Sequence, residues 1–290
     1  MGDRKRNKFR QGKQKSLRQW LIGDFSVKRL VSSFLLLYAC LILYGIFFTD
    51  GMIFRPSPSA YADTADIIKL TVKNGRRISA RYFPNPTATY TLLYSHGNAG
   101  DLADYLETYQ KLQKMGFAVF AYDYQGYGTS EGSASESNTY QDIDAAYDYV
   151  TTKLNVPPQR IIAYGHSVGG GPTIDLASRR PVAAVVVQGT FITAFRVRTV
   201  VPIVPVDKFD NLGKIKKIRH PVLIIHGVED EVIPFWHGQA LFKAANEPKR
   251  FFGPERAMHN DLMDVAGDSY TKTLQSFVQE VVTPTVPKSP

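Results

Sequence analysis

The sequence of 290 residues contains a single cysteine, Cys40. One thiol excludes an intrachain disulfide framework and any zinc or iron–sulfur site that needs several cysteines. Charged residues are also sparse, at 21%, whereas 44% of the chain is hydrophobic and 12% is aromatic. This much apolar surface can bury a large core and argues against disorder. The length allows one α/β domain of about 200–250 residues plus an appendage.

Net positive charge is nearly absent from most of the chain, although the whole chain carries a net charge of +9. Residues 1–29 carry ten basic and two acidic side chains, whereas the other 261 residues carry 25 basic and 24 acidic ones. The body is therefore nearly neutral, and we expect no binding of nucleic acid. We interpret residues 1–29 as a basic tail that is either a solvated orientation signal or a segment lying on anionic lipid headgroups.

An uncharged run of nineteen residues, 30–48, follows the tail. As a helix it would be about 28 Å long, close to the hydrocarbon thickness of a bilayer. We predict a transmembrane anchor there, with Cys40 inside the membrane. A buried helix and a cleaved signal peptide are the alternatives. Ala60-Tyr61-Ala62 resembles a cleavage site, but it lies about a dozen residues beyond the run.

The two flanks of the anchor differ in the number of basic residues, because Arg55 is the only basic residue soon after it. The positive-inside rule then predicts that the tail is cytoplasmic and that everything after residue 48 lies on the opposite, periplasmic, lumenal or extracellular side. Residues 49–63 mix Pro, Ser and Gly without periodicity, which predicts a linker.

Residues 64–283 alternate short β-rich runs with helical stretches. This alternation predicts an α/β fold with a mostly parallel, eight-stranded sheet and helices on both faces, preceded by an antiparallel pair around Asn74-Gly75. Residues 284–290 are predicted to be a flexible tail. The predicted strands are 67–72, 78–83, 89–95, 117–122, 160–164, 182–187, 222–226 and 250–252, and the predicted helices are 102–115, 140–154, 168–179, 234–245 and 261–281.

The motif Gly165-His166-Ser167-Val168-Gly169 lies between a predicted strand and a predicted helix. In this context a sharp turn exposes the serine at the sheet edge, and the flanking glycines remove Cβ atoms that would collide. The helix N-terminus adds partial positive charge near the hydroxyl. We predict that Ser167 is a nucleophile; the alternative is that the glycines only allow close packing of strand and helix.

A serine nucleophile needs a base and an acid that orients the base. In this topology the acid follows the serine, and the segment 229–231 places carboxylates after a predicted strand. We choose Asp230 as the acid. Glu229 and Glu231 are interpreted as solvated loop charges, and Asp207 and Asp210 are fallback candidates.

His259 follows the last predicted strand, directly before the final predicted helix, and is our choice for the base. His237 is also downstream of the acid, but its place early in a predicted helix favours a surface or capping role. His96 and His226 end strands and are expected to form local hydrogen bonds. His220 precedes a proline in a predicted turn.

Two backbone amides are expected to stabilise negative charge on the substrate oxygen. One is the amide of Val168, which follows the nucleophile. We nominate the amide of Asn98 as the other, because the sequence HGNAG at 96–100 lets the backbone approach the site; a plain glycine turn is the alternative. This chemistry requires no metal ion and no organic cofactor.

Several stretches together resemble the α/β-hydrolase superfamily. More narrowly, the chain resembles membrane-associated α/β-hydrolase-domain proteins, whose best-known members remove palmitate from protein cysteines. The resemblance covers residues 64 to about 283 and implies the α/β-hydrolase fold. The chain departs from the family pattern at one place. Glu255-Arg256-Ala257-Met258 replaces the small residues of the usual Gly-x-Gly-His, so the loop that carries His259 is expected to sit differently. The stretches are SHGNAGDL (95–102), AYDYQGYGTSEG (121–132), DIDAAYDYV (142–150), YGHSVGGGPTIDLASR (164–179), HGVEDEVIPFWHG (226–238) and MHND (258–261).

Residues 188–213 are too short for a folded cap domain and are predicted to form a small lid or pocket wall. Their apolar side chains fit either an acyl-chain pocket or ordinary packing over the sheet. We therefore predict a lipase- or esterase-like serine hydrolase acting on a lipid-like acyl ester or thioester. An acyl-protein thioesterase and a serine aminopeptidase are the alternatives, and a membrane scaffold is disfavoured because the three candidate catalytic residues are intact. The apolar residues are Phe191, Phe195, Val197, Val200, Val201, Ile203 and Val204.

Overall fold

The computed structural model describes residues 26–199 and 207–282, except for the side chains of residues 46–48 and 281. Most of the predicted basic tail, the predicted tail 284–290 and part of the predicted lid lie outside these ranges. The chain divides into two compact units, Met1–Tyr44 and Gly45–Pro290.

The first helix, α1, spans Val27–Ile53. Its stretch Val27–Gly45 has a mean hydropathy of 1.7 and is long and apolar enough to cross a membrane. Length and composition of this kind are typical both of membrane anchors and of signal sequences. The stretch overlaps the predicted span 30–48 and begins three residues earlier.

The predicted linker 49–63 differs from the structure, because α1 continues through its first five residues. Thr49 and Phe54 are buried. The ring of Phe54 packs against Tyr124, Tyr127 and Phe209, with centroids 6.1–6.5 Å apart. Aromatic contacts with distant parts of the chain leave no periodic pattern in the sequence, which is why this segment resembled a linker.

The rest of the predicted linker is also held in place. The Ala60 amide donates to the Asp101 carboxylate at 2.8 Å, and the Tyr61 hydroxyl donates to Asp123 at 2.6 Å. Residues 49–61 are therefore part of the unit that contains the sheet.

Eight strands form one sheet in the order β1-β2-β4-β3-β5-β6-β7-β8. The pairs β1–β2 and β2–β4 are antiparallel and all others are parallel. This confirms the predicted mostly parallel, eight-stranded sheet. The strands are β1 Ile68–Thr71, β2 Arg77–Phe83, β3 Thr91–Ser95, β4 Ala118–Tyr122, β5 Ile161–His166, β6 Ala184–Gln188, β7 Val222–Ile225 and β8 Lys249–Phe252.

The antiparallel pair β1–β2 turns at Asn74-Gly75, as predicted. The Gly75 amide donates to the Val72 carbonyl at 2.8 Å, and the Val72 amide donates to the Arg76 carbonyl at 2.9 Å. Gly75 has φ +82°, a conformation that glycine adopts without steric cost.

Helices cover both faces of the sheet, and each face has its own apolar core. Along β5, Ile161 and Ala163 belong to one core, whereas Ile162 and Tyr164 belong to the other. The helices after α1 are α2 Leu106–Lys114, α3 Glu136–Thr152, α4 Gly170–Arg179, α5 Asn211–Ile215, α6 Trp236–Ala244, α7 Leu262–Ala266 and α8 Asp268–Phe277, followed by a π-helical turn at Val278–Val282.

Two helical predictions need correction. The helix predicted at 261–281 is broken at Gly267, whose φ of +48° lies outside the helical region. The short helix α5 was not predicted, although the Asp210 carboxylate caps it by accepting the Gly213 amide at 2.9 Å. The described part of the predicted lid contains a single 3-10 turn, Phe195–Val197; Val200, Val201, Ile203 and Val204 fall outside the described residues.

Candidate active site

Ser167 occupies a sharp turn between the end of β5 and the start of α4. Its φ is +54°, which is unusual for a residue with a side chain. The flanking glycines make the turn sterically feasible, as predicted: a Cβ on Gly165 would overlap the Gly169 carbonyl, and a Cβ on Gly169 would overlap the Ser95 carbonyl. The hydroxyl is therefore held at the carboxyl edge of the sheet.

His259 lies within hydrogen-bond distance of both other side chains predicted for catalysis. The Nε2 atom of His259 is 2.9 Å from Ser167 Oγ, and its Nδ1 atom is 2.8 Å from Asp230 Oδ2. A carboxylate can only accept, so Nδ1 carries the proton and donates to Asp230. The lone pair on Nε2 then faces the serine hydroxyl, as general-base chemistry requires.

Asp230 is buried and ringed by donors. Its Oδ1 atom accepts the amides of Val232 at 3.0 Å and Ile233 at 2.7 Å. Burial alone would raise its pKa, but hydrogen bonds from His226 and His259 and from the Ile233 amide hold the pKa well below its usual value. The acid therefore stays ionised.

His226 contributes more than the local hydrogen bond expected from the sequence. Its Nε2 atom lies 2.8 Å from the Ile233 carbonyl, which requires a proton on that nitrogen, and 3.3 Å from Asp230 Oδ2. The imidazole is fully buried. The spacing of four residues between His226 and Asp230 is a signal from which this contact could have been predicted.

The loop that carries His259 is fastened to the loop that carries the acid. The His259 amide donates to the exposed Glu231 carboxylate at 3.1 Å, and the Ala257 carbonyl accepts the Glu229 amide at 3.1 Å. The Met258 amide donates to Asp261 at 2.7 Å. These bonds hold the imidazole in hydrogen-bond range of the serine despite the departure at 255–258.

His237 is wrongly predicted as a surface or capping residue. Its side chain is completely buried, stacks on the Trp236 ring at 3.8 Å, and accepts the Ile192 amide at 3.2 Å. Burial lowers its pKa to about 4. It therefore supports the segment after β6 as a neutral acceptor.

Another buried imidazole adjoins the base. The His166 ring lies 5.4 Å from the His259 ring, and burial lowers the His166 pKa to about 3. His166 is therefore neutral at ordinary pH and places no positive charge beside His259.

Asn98 and Val168 both line the cavity into which Ser167 opens. Asn98 is tied to the end of α1, because its Nδ2 donates to the Ile53 carbonyl at 3.0 Å. The Tyr127 hydroxyl donates to the Asn98 carbonyl at 2.8 Å and accepts the Arg55 amide at 3.1 Å. The bonds to Ile53 and Arg55 have no signal in the sequence, since they join residues 45 and 72 positions apart.

The cavity has a volume of about 310 Å³ and a mainly apolar lining. Three of its residues come from the last two turns of α1, and others come from the predicted lid segment. Within residues 26–199 and 207–282, no group of three or more His, Cys, Asp or Glu side chains is placed to bind a metal ion. The lining residues are Thr49, Met52, Ile53, Arg55, Asn98, Ser167, Val168, Phe191, Ala194, Phe195, Val197, Arg198, Val232 and Ile233.

The chain is similar to proteins of known family. Residues 86–209 match the family described as serine aminopeptidase, S33. The α/β hydrolase domain-containing protein 17B of Xenopus tropicalis is 41% identical over 225 residues, which cover 76% of this chain and 77% of that protein. The human protein 17B is 40% identical over the same extent.

Solved structures share the fold at low sequence identity. An esterase of Pyrococcus furiosus has a TM-score of 0.66 at 17% identity and covers 79% of this chain and 99% of that one. An esterase domain from Rhodothermus marinus has a TM-score of 0.57 at 20% identity and covers 74% of this chain and 98% of that one. The chain therefore belongs to the α/β-hydrolase superfamily and is a hydrolase of the α/β-hydrolase domain-containing family.

Proposed function

We propose that this chain is a membrane-anchored serine hydrolase that cleaves carboxylic acyl esters with Ser167, His259 and Asp230. The observation that carries the proposal is the 2.9 Å separation of His259 Nε2 and Ser167 Oγ at an apolar cavity. The second bond, from His259 to Asp230, fixes the tautomer that this step needs.

The reaction proceeds through an acyl-enzyme. His259 takes the proton of Ser167 as its oxygen attacks the acyl carbon, and the amides of Asn98 and Val168 hold the resulting oxyanion. His259 then gives its proton to the departing alcohol as the C–O bond breaks. Water, deprotonated by the same imidazole, releases the carboxylic acid and restores the serine.

The cavity favours an acyl chain as the group held beside the serine. Met52, Phe191, Phe195 and Val197 supply apolar walls, which suit methylene groups and offer them no polar partner. A serine aminopeptidase would instead need a carboxylate for the substrate's free amino group, and the described lining contains none. An acyl-protein thioesterase uses the same acyl-enzyme, so esters of graded chain length measured against matched thioesters separate the two activities.

Labelling with a fluorophosphonate probe tests the nucleophile. We expect Ser167 to be labelled, and we expect Ser167→Ala to abolish labelling and to lower ester turnover about 10⁴- to 10⁶-fold. Ser178→Ala is the matched control, because Ser178 lies near the end of α4, the helix that follows Ser167, and its hydroxyl donates to the Asp175 carbonyl rather than lining the cavity. Absence of labelling in well-folded protein would instead support the scaffold alternative.

We further propose that α1 is retained as a single-pass anchor, with the basic tail in the cytoplasm and the hydrolase on the opposite side. The charge bias around the apolar run and the packing of residues 49–61 support this arrangement. Protease added outside intact cells should cleave the hydrolase unit, and full protection there would reverse the orientation. A chain shortened by cleavage after Ala62 would contradict retention.

A further inference from the structure

Two arginine residues line the cavity, and the proposed mechanism uses neither. Arg55 follows the end of α1, and Arg198 follows the 3-10 turn Phe195–Val197. Both residues are exposed. Together they place two positive charges in a lining that is otherwise mainly apolar.

Neither guanidinium has a counter-charge in the part of the chain that the structure describes. Other basic groups of this region differ: Lys208 pairs with Asp50 at 3.1 Å, and Arg196 lies 5.4 Å over the Trp236 ring. The segment 200–206, which follows Arg198 in the sequence, is VVPIVPV and contains no acidic residue. Among the described residues, neither Arg55 nor Arg198 therefore forms an ion pair with a carboxylate.

Unbalanced positive charge in a cleft with apolar walls attracts an anion from solution. Guanidinium groups match phosphate oxygens especially well, because their planar N–H donors bind two oxygens at once. The cavity thus offers an apolar surface for a chain, a nucleophile for an ester carbonyl and two cations for a negative group on the same molecule.

We propose that Arg55 and Arg198 form an anion-binding subsite, so that the preferred substrate is an acyl ester whose alcohol carries a phosphate group. The inference rests on the proposed acyl-ester hydrolysis and adds the class of alcohol. The acyl chain packs against the apolar walls, the ester carbonyl lies at Ser167, and the phosphate pairs with the two guanidinium groups.

Two esters that differ only in charge test the subsite. Release of octanoate by the full-length protein in a neutral detergent is measured for 1-octanoylglycerol 3-phosphate and for 1-octanoylglycerol. We expect kcat/KM to be about tenfold higher for the phosphate ester, and this ratio to fall as added salt screens the charges. In the double variant Arg55→Gln, Arg198→Gln the ratio should fall towards one.

Arg160→Gln is the matched control. Arg160 is also exposed, but it lies just before β5, at the opposite end of the strand from Ser167. This variant should keep the tenfold ratio. A ratio of one in the wild-type protein, or a tenfold ratio that survives in the double variant, would overturn the inference.

Inhibition gives a second measurement that does not depend on cleavage of either acylglycerol. With p-nitrophenyl butyrate as substrate, octyl phosphate should inhibit about tenfold more strongly than octanol, and the double variant should lose this difference. Inorganic phosphate that inhibits as strongly as octyl phosphate would assign the arginines to free phosphate and overturn the lipid-like substrate. Failure of the proposed hydrolase function can be distinguished from failure of the anion subsite, because only the former would appear as absence of fluorophosphonate labelling.

Discussion

Replacing Tyr127 with phenylalanine tests whether the segment at the end of α1 positions the Asn98 amide, one of the two proposed oxyanion donors. The change removes one hydroxyl that donates to the Asn98 carbonyl at 2.8 Å and accepts the Arg55 amide at 3.1 Å. The ring remains to pack against Phe54. The loop that carries Asn98 then keeps its bond to the Ile53 carbonyl but loses its second support.

The expected effect on turnover lies between two limits. One neutral hydrogen bond contributes about 1 kcal/mol, or roughly fivefold in rate if all of it positions the amide. Complete loss of one oxyanion donor costs about 10²- to 10³-fold in kcat. Because one support of Asn98 remains, we expect kcat for p-nitrophenyl butyrate to fall about 5- to 50-fold, with KM within about twofold of the wild-type value.

Tyr147→Phe is the control for loss of a tyrosine hydroxyl. That hydroxyl donates to the Pro181 carbonyl at 2.7 Å and touches nothing in the cavity. Both variants should lower the melting temperature by a few degrees, since each leaves a carbonyl without its donor. Only Tyr127→Phe should lower kcat. An unchanged kcat in that variant, or an equal loss in both variants, would refute the positioning role.

Three further variants probe the scaffold. Gly169→Ala should prevent folding or sharply lower the melting temperature in circular dichroism, because the added Cβ would overlap a strand carbonyl. Gly51→Ala is the control: its Cβ would meet no atom within 4 Å, so the melting temperature should not change. Phe54→Ala should lower the free energy of unfolding, measured by urea denaturation, by about 3–5 kcal/mol if residues 49–61 belong to the core. A loss under about 1 kcal/mol would instead support the linker predicted from the sequence. Burial raises the pKa of Asp142 to about 7, so the folded state holds a proton that the unfolded state releases above about pH 4. The free energy of unfolding should therefore fall between pH 4 and 7 by up to about 1.4 kcal/mol per pH unit, and Asp142→Asn should lack this fall; parallel pH profiles would contradict the shift.

The strands were predictable because their signal is local. In β5 and β6 every residue is buried, and the first four residues of each strand appear in the sequence as a continuous apolar run. The antiparallel pair was predictable from Asn74-Gly75 for the same reason. The mostly parallel direction of the strands was predictable from the alternation of strands with helices, which is typical of parallel crossover connections.

Helix ends were less predictable because distant side chains set them. The predicted helix at 102–115 begins only at Leu106, since the Leu102 amide donates instead to Asp123 at 3.0 Å. By contrast, α3 begins four residues earlier than predicted, and here the sequence did contain the signal. Ser135 caps this helix by accepting the Asn138 amide at 3.2 Å, and serine is a preferred capping residue.

The candidate site divides in the same way. Ser167, Asp230 and His259 were nominated as catalytic residues from turn motifs at strand ends, where the topology restricts what can follow. The support that Ile53 and Tyr127 give to Asn98 could not be predicted from motifs. A backbone carbonyl has no sequence signature, and a buried tyrosine is indistinguishable in the sequence from other core aromatics.

Residues 49–61 connect the question of domain boundaries to the question of catalysis. Composition placed the start of the hydrolase domain at residue 64, yet the unit that contains the sheet begins at Gly45. Cleavage after Ala62 would remove the Ile53 carbonyl from Asn98 and the Phe54 ring from the aromatic core. The three proposed catalytic residues would all remain, but one nominated oxyanion amide would lose one of its two supports. A cleaved chain would therefore fail for a reason that no inventory of catalytic residues reveals, because the last turn of the apolar helix is itself part of the site.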